Sequence, residues 1–189
     1  LEIFVFVDVG ISLPFIGKIM TRIIDITLVD LTLAEWAYNA PTVVPTLAYP
    51  DGNTLILNTG KRAADREYLD TEDGGEIFKV TGDASSITVS YSEWTETHTG
   101  SFTKLVADGG DGDDNFDLSE LNGVVAELTM GPGDDRATLG SGGGTVEGGL
   151  GDDTLIATAA TAPVTLKGDE EDDQLTGGSG ENVLVGGPG

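Results

Sequence analysis

The stretch Gly109-Gly110-Asp111-Gly112-Asp113-Asp114-Asn115-Phe116-Asp117 returns as Gly148-Gly149-Leu150-Gly151-Asp152-Asp153-Thr154-Leu155-Ile156. Both copies fit the nine-residue pattern G-G-x-G-x-D-x-U-x, in which U is a large apolar residue. The glycines allow the left-handed backbone angles of a tight turn. The apolar residue two places after the aspartate opens a short strand with one inward side chain. A coil made of such units buries nothing alone, so coils must stack, and the pattern is that of a parallel β-helix repeat.

Aligned on the motif aspartates, the chain shows Asp114, Asp135, Asp153 and Asp173, spaced 21, 18 and 20 residues apart. Two residues after each come Phe116, Ala137, Leu155 and Leu175. Midway between lie second apolar segments, Val124–Leu128, Thr145–Val146, Val164–Leu166 and Val183–Val185. One period is therefore two nonapeptides, or one coil of turn, strand, turn, strand. The copies are unequal. The second reads Met130-Gly131-Pro132-Gly133-Asp134-Asp135, with its first glycine lost and Ala137 a small core residue. The fourth reads Gly168-Asp169-Glu170-Glu171-Asp172-Asp173, with acids in place of two glycines. On the opposite edge, Asp117–Gly123, Gly140–Gly144 and Thr158–Pro163 lack the motif, whereas Gly177-Gly178-Ser179-Gly180-Glu181-Asn182 carries it with Asn for Asp.

The expected fold is mainly β. About four coils of a parallel β-roll, or β-solenoid, are expected over residues 108–189, preceded by a β-rich N-terminal cap region over 1–107. Residues 105–189 hold 20 of the 28 glycines, whereas both Trp, all four Tyr and five of the six Phe lie before them. The aromatic core is thus N-terminal. Strand-like segments fall at Thr54–Asn58, Glu76–Val80, Ile87–Tyr91 and Phe102–Ala107, with turn signals at Asp51-Gly52-Asn53 and Asp73-Gly74-Gly75. They suit a cap, since repeat arrays need atypical end units to shield the last layer of core. Apolar residues at helical spacing between Leu13 and Leu31, with Pro14 suited to a first turn, predict one short amphipathic helix near 14–24.

Stacking brings the motif turns over one another along one edge, where aspartates of successive turns converge on a shared gap. Each gap offers two carboxylates and several main-chain carbonyls, and no nitrogen or sulfur. Hard oxygen ligands in a flexible arrangement favour calcium over magnesium, and zinc would call for His or Cys. Four turns enclose three gaps, so about three calcium ions are expected. The gaps between the first and second and between the second and third turns are expected to be best formed. The net charge of -24 supports a cationic ligand and disfavours nucleic acid and anionic lipid surfaces as partners. The chain has no cysteine, hence no disulfide to make it rigid, and bound calcium can serve instead. No uncharged apolar run approaches the ~18 residues that span a bilayer. Leu1–Val7 lacks a basic leader region and is not read as a signal peptide. Gly186–Gly189 reads as the opening of another repeat, so the chain is expected to be part of a longer one.

Residues 109–189 resemble the RTX (repeats-in-toxin) family of hemolysin-type calcium-binding repeats, on two near-perfect motifs and two or three degenerate ones. The resemblance implies a parallel β-roll in which motif aspartates and turn carbonyls bind calcium. It assigns the carboxylate role to Asp114, Asp135, Asp153 and Asp173. It assigns the carbonyl role to Gly109, Gly110, Asp111, Gly112 and Asp113, to Gly131, Pro132, Gly133 and Asp134, and to Gly148, Gly149, Leu150, Gly151 and Asp152. It also implies a secreted or cell-surface bacterial protein that stays unfolded inside the cell and folds where calcium is abundant.

Signals for catalysis are absent. There is no H-E-x-x-H and no G-x-S-x-G. The lone His98 lies in a Thr-rich segment and is expected to be exposed. Chance acid pairs are expected among 33 acidic residues, so a glycosidase dyad cannot be argued. The cluster around Lys61 and Arg62 lacks P-loop spacing and is read as balancing acids such as Asp65 and Glu67. The acidic run Asp70–Glu76 departs from the EF-hand pattern and is read as a solvated turn. Three functions compete: a non-catalytic calcium-binding structural or adhesive module, with an unidentified cell-surface or matrix ligand; the calcium-binding region of a secreted protease or lipase; and a calcium-independent structural solenoid. A disordered acidic linker is the simplest alternative, and the fixed offset of apolar residues from each aspartate argues against it.

Overall fold

The structure, a computed structural model, describes residues 46–66 and 69–189. The helix expected near 14–24 lies outside the described residues. The upstream strands are β1 (Ala48–Asp51), β2 (Thr54–Leu57), β3 (Ile77–Asp83), β4 (Ser86–Tyr91), β5 (Trp94–Thr99) and β6 (Lys104–Asp108), with a 3₁₀ helix over Gly60–Asp65. The repeat region supplies β7 (Asn115–Asn122), β8 (Val125–Pro132), β9 (Arg136–Thr138), β10 (Gly144–Leu150), β11 (Thr154–Ile156), β12 (Val164–Glu170), β13 (Gln174–Thr176) and β14 (Asn182–Val185). The protein is mainly β, and residues 104–185 form a parallel β-solenoid of about four coils.

Two seven-stranded sheets face each other, in the orders β1-β2-β6-β8-β10-β12-β14 and β13-β11-β9-β7-β3-β4-β5. Because the chain alternates between them, strands neighbouring in one sheet come from successive coils. The register makes columns of like residues. Ala107, Leu128, Val146 and Leu166 form one inward column in the first sheet. Phe78, Phe116, Ala137 and Leu155 form one in the second, continued by the half-buried Leu175. Each Leu- or Phe-sized member contributes about 1.5–3 kcal/mol by burial. The second coil exchanges volumes between its sheets, because Met130 fills the interior where other coils have glycine and Ala137 is small where they have Phe or Leu. These two departures from the motif compensate.

Parallel pairing also crosses the boundary at 107/108, since β2 pairs with β6 and β3 with β7. Antiparallel strands close the upstream edge of each sheet: β1 on the first, β4 and β5 on the second. The expected strands are all present, while β1 and β5 were not anticipated. Strand β1 carries Pro50, which an edge position tolerates. Strand β5 alternates Thr with larger residues and has no buried apolar side chain. At the downstream end, Val183, Leu184 and Val185 of β14 are exposed.

Candidate cation-binding edge

The four motif turns lie over one another along one edge of the solenoid. The strand register sets Gly149 level with Gly131 and with Asp169. Main-chain bonds tie turn to turn: Gly112 N–H donates to Pro132 O at 2.9 Å and Gly133 N–H to Leu150 O at 2.8 Å. The fourth turn keeps the shape of the others although it lacks two glycines, and this puts Asp169 and Glu171 at φ 78° and 80°, where side chains are strained.

The motif aspartates form a buried column. Asp114, Asp135 and Asp153 are 2%, 2% and 1% exposed. Each accepts, on Oδ1, a bond from the main-chain N–H of the acid one coil upstream. Asp114 N–H donates to Asp135 at 2.7 Å, Asp135 N–H to Asp153 at 2.9 Å, and Asp153 N–H to Asp173 at 3.0 Å. The structure thus brings together all four aspartates picked out by the repeat. A second, exposed ladder runs the other way. Asp134 N–H donates to Asp113 Oδ1, Asp152 N–H to Asp134 Oδ1 and Asp172 N–H to Asp152 Oδ1, each at 3.0 Å. The Asp-Asp pair of a turn therefore hooks one neighbour with its first carboxylate and the other neighbour with its second.

The second oxygen of the inner column has no such partner. Oδ2 of Asp114, Asp135, Asp153 and Asp173 is buried without a hydrogen bond. Burial raises the carboxyl of Asp114 from 3.8 to about 8, that of Asp153 to about 7 and that of Asp135 to about 6. Neighbouring acids add to the rise, and the main-chain bond to each Oδ1 opposes it.

What faces Oδ2 is a main-chain carbonyl from the next coil. A β-carbon on Gly109 would stand 2.4 Å from Asp114 Oδ2 and 2.2 Å from Met130 O. On Gly148 it would stand 2.0 Å from Asp153 Oδ2 and 2.6 Å from Gly168 O, and on Gly168 it would meet Asp173 Oδ2 and Gly186 O at 1.8 and 2.6 Å. The first glycine of the motif thus keeps open a cradle where a carboxylate oxygen and a carbonyl oxygen converge from two coils. Met130 occupies that position in the second turn, so the gap between the second and third turns lacks the glycine cradle. Among the described residues no three Asp, Glu, His or Cys side chains converge as a metal cluster. A cation here would take its ligands from one or two carboxylates and from main-chain oxygens. The residues fit such an ion: buried carboxylate oxygens without donors, carbonyls beside them, and, among the described residues, no salt bridge to any of the four aspartates.

On the opposite edge, Asn182 does without an ion. Its Oδ1 accepts from Gly178 N–H at 2.8 Å, and its Nδ2 donates to Gly178 O and Gly180 O at 3.0 and 2.7 Å. An amide supplies the donors that the aspartate turns lack.

Two residues that the sequence did not single out head the inner column. Glu76 is buried, and its N–H donates to Asp114 Oδ1 at 2.7 Å. Its carboxylate meets the buried Arg66, Nη2 to Oε1 at 2.5 Å. Gly74-Gly75-Glu76-Ile77-Phe78 carries the pattern G-x-D-x-U with Glu for Asp, and the Phe78 ring lies 5.9 Å from that of Phe116. Asp73 Oδ1 accepts from Asp111 N–H at 3.1 Å. The run Asp70–Glu76 is therefore no merely solvated turn, because two of its acids engage the first repeat. Near Lys61 and Arg62 the acid-pairing base is Arg66, Arg62 donates to Leu57 O at 3.2 Å, and Glu67 lies outside the described residues. His98 is not exposed either. Its side chain is 12% accessible and lies 3.4 Å from Glu96, whose Oε2 accepts the N–H groups of Leu47 and Ala48. Main chain at 47–48 covers that face of β5.

No family model matches the chain, and no curated protein or solved structure matches it.

Proposed function

We propose that this chain is a non-catalytic calcium-binding repeat module of a large secreted or surface bacterial protein, acting as a structural or adhesive segment that folds on extracellular calcium. The observation that carries the reading is the row of buried Oδ2 atoms without donors on Asp114, Asp135, Asp153 and Asp173. A dehydrated carboxylate must hold a proton or meet a positive charge. An all-oxygen cradle of irregular shape suits calcium, which accepts about six to eight oxygens. The glycine cradles at Gly109, Gly148 and Gly168 support about three ions. The chain's own residues would bind and shield the ions, Asp carboxylates supplying charge and turn carbonyls completing the shell. Since the cradles exist only where coils stack, binding free energy is folding free energy. Extracellular calcium modules bind at about 10⁻⁴–10⁻³ M, above resting cytosolic levels.

A calcium-independent structural solenoid is the second reading, favoured by the aspartate ladders, which join every pair of turns without an ion. The same array could also serve a secreted protease or lipase. Calorimetric titration of the full chain with calcium chloride, beside circular dichroism in chelator and in millimolar calcium, tests the first reading against the second. The expected result is saturable uptake of about three ions with a gain of β signal that chelator reverses. Absence of heat together with an unchanged spectrum rejects the calcium reading.

A further inference from the structure

The inner column begins with Glu76, not Asp114. Ile77 pairs with Asn115, which sets Glu76 level with Asp114, and Gly60 lies against Gly110, its Cα 2.6 Å from where a β-carbon on Gly110 would stand. Gly60 and Glu76 are thus the two ends of a turn of the same column, parted by the insertion 61–72. Glu76 joins the next rung through the same bond that joins the others, from its N–H to Asp114 Oδ1. Unlike them, its carboxylate has a positive partner. Arg66 Nη2 lies 2.5 Å from Oε1, and Oε2 accepts Gly60 N–H at 3.2 Å. The guanidinium is held in place by Ala63 O at 3.3 Å, Glu72 O at 3.0 Å and the Tyr91 ring at 5.0 Å.

We propose that Arg66 is a tethered cation closing the head of the column in place of a metal ion. The inference rests on the cation reading of the lower turns and says how that row ends. Each lower turn presents a buried carboxylate whose Oδ2 has no donor, whereas the head turn presents a carboxylate already neutralised by a charge the chain carries. A guanidinium linked to the main chain cannot be removed by chelator, so the head rung is complete at any calcium level. It gives the ion-dependent coils a formed surface on which to stack. If Arg66 loses its charge, Glu76 acquires the chemistry of Asp114 and takes up an ion of its own.

The test uses the full chain as wild type, Arg66→Gln and the double variant Arg66→Gln with Glu76→Gln. Calcium stoichiometry is measured by titration, and the melting temperature in chelator and in millimolar calcium chloride. Arg66→Gln is expected to bind one ion more than wild type. It is expected to melt about 10 °C lower in chelator, the size expected for breaking a buried pair in a protein of this length, and to regain most of that loss in calcium. The double variant should show neither the extra ion nor the regained stability. An unchanged ion count in a folded Arg66→Gln variant overturns the proposal. If that variant is unfolded in chelator, folding on calcium addition supports the proposal and failure to fold overturns it. A wild-type chain that takes up no calcium instead refutes the reading of the lower turns, which separates the two failures.

Discussion

Metal-free protein should lose stability steadily as the pH rises from 5 to 8, opposite to the usual behaviour of paired carboxylates. Asp114, Asp153 and Asp135 titrate at about 8, 7 and 6 in the folded chain because burial penalises their charged forms, against 3.8 for the free side chain. At pH 5 the folded state holds all three protons, while the unfolded chain has already released most of them. Raising the pH therefore draws the equilibrium toward the unfolded chain. Each such group contributes a slope of about 1.4 kcal/mol per pH unit. Three groups act just above pH 5, two between 6 and 7, and one between 7 and 8. Fully realised, the transitions cost about 8 kcal/mol across that range, comparable to the whole stability of a domain. Relaxation around the carboxylates lowers the figure, and half of it, about 4 kcal/mol, would still be a large part of the stability of a domain. The contribution is fully present below pH 4 and gone above pH 8. Calcium should remove the slope, because it replaces the proton and releases it on binding. Urea unfolding followed by Trp94 fluorescence and far-ultraviolet dichroism, at four pH values with chelator and with calcium, measures both. Metal-free stability that is flat or rises from pH 5 to 8 would refute the argument that these oxygens are dehydrated without partners.

Other substitutions probe single turns. Gly148→Ala places a methyl 2.0 Å from Asp153 Oδ2, so it should remove one ion from the calorimetric count and lower the melting temperature most in calcium. Asp153→Asn should imitate Asn182, supplying donors in place of charge. Its metal-free melting temperature at pH 8 should rise while calcium uptake falls by at least one ion, and a fall in both would contradict the account. Asp169→Gly and Glu171→Gly relieve left-handed backbone at φ 78° and 80°, and each should stabilise the fold by about 1 kcal/mol in urea titration.

Much of this edge was legible in the sequence because glycine spacing and stacking geometry are coupled. A turn that needs left-handed residues at fixed places advertises itself, and the apolar residue two positions after each aspartate then fixes the register. Asp114, Asp135, Asp153 and Asp173 could be assigned to one column on that ground alone. The head of the column was hidden by 12 extra residues between Gly60 and Asp73, which split its motif, by the β4–β5 hairpin, which stretches the Glu76 to Asp114 spacing to 38 residues, and by Glu standing for Asp. Met130 and Ala137 read as two separate weaknesses, because volume exchange between facing sheets has no signature along the chain. The opposed directions of the two aspartate ladders depend on which oxygen of each carboxylate turns toward which neighbour, and no residue pattern encodes that. Strand β5, Trp94–Thr99, escaped because its alternation pairs Thr with polar partners, so periodicity carried no apolar signal.

The paired hooks have a consequence for how such an array can change. Every coil presents the same acceptor to the coil before it and the same acceptor to the coil after it, so each seam resembles its neighbours. Excising Gly148 to Lys167 would leave Glu147 running into Gly168, with Asp135 N–H facing Asp173 and Asp172 N–H facing Asp134. Coil number is then an adjustable dimension, one that deletion or duplication of a whole period can alter without redesigning any joint.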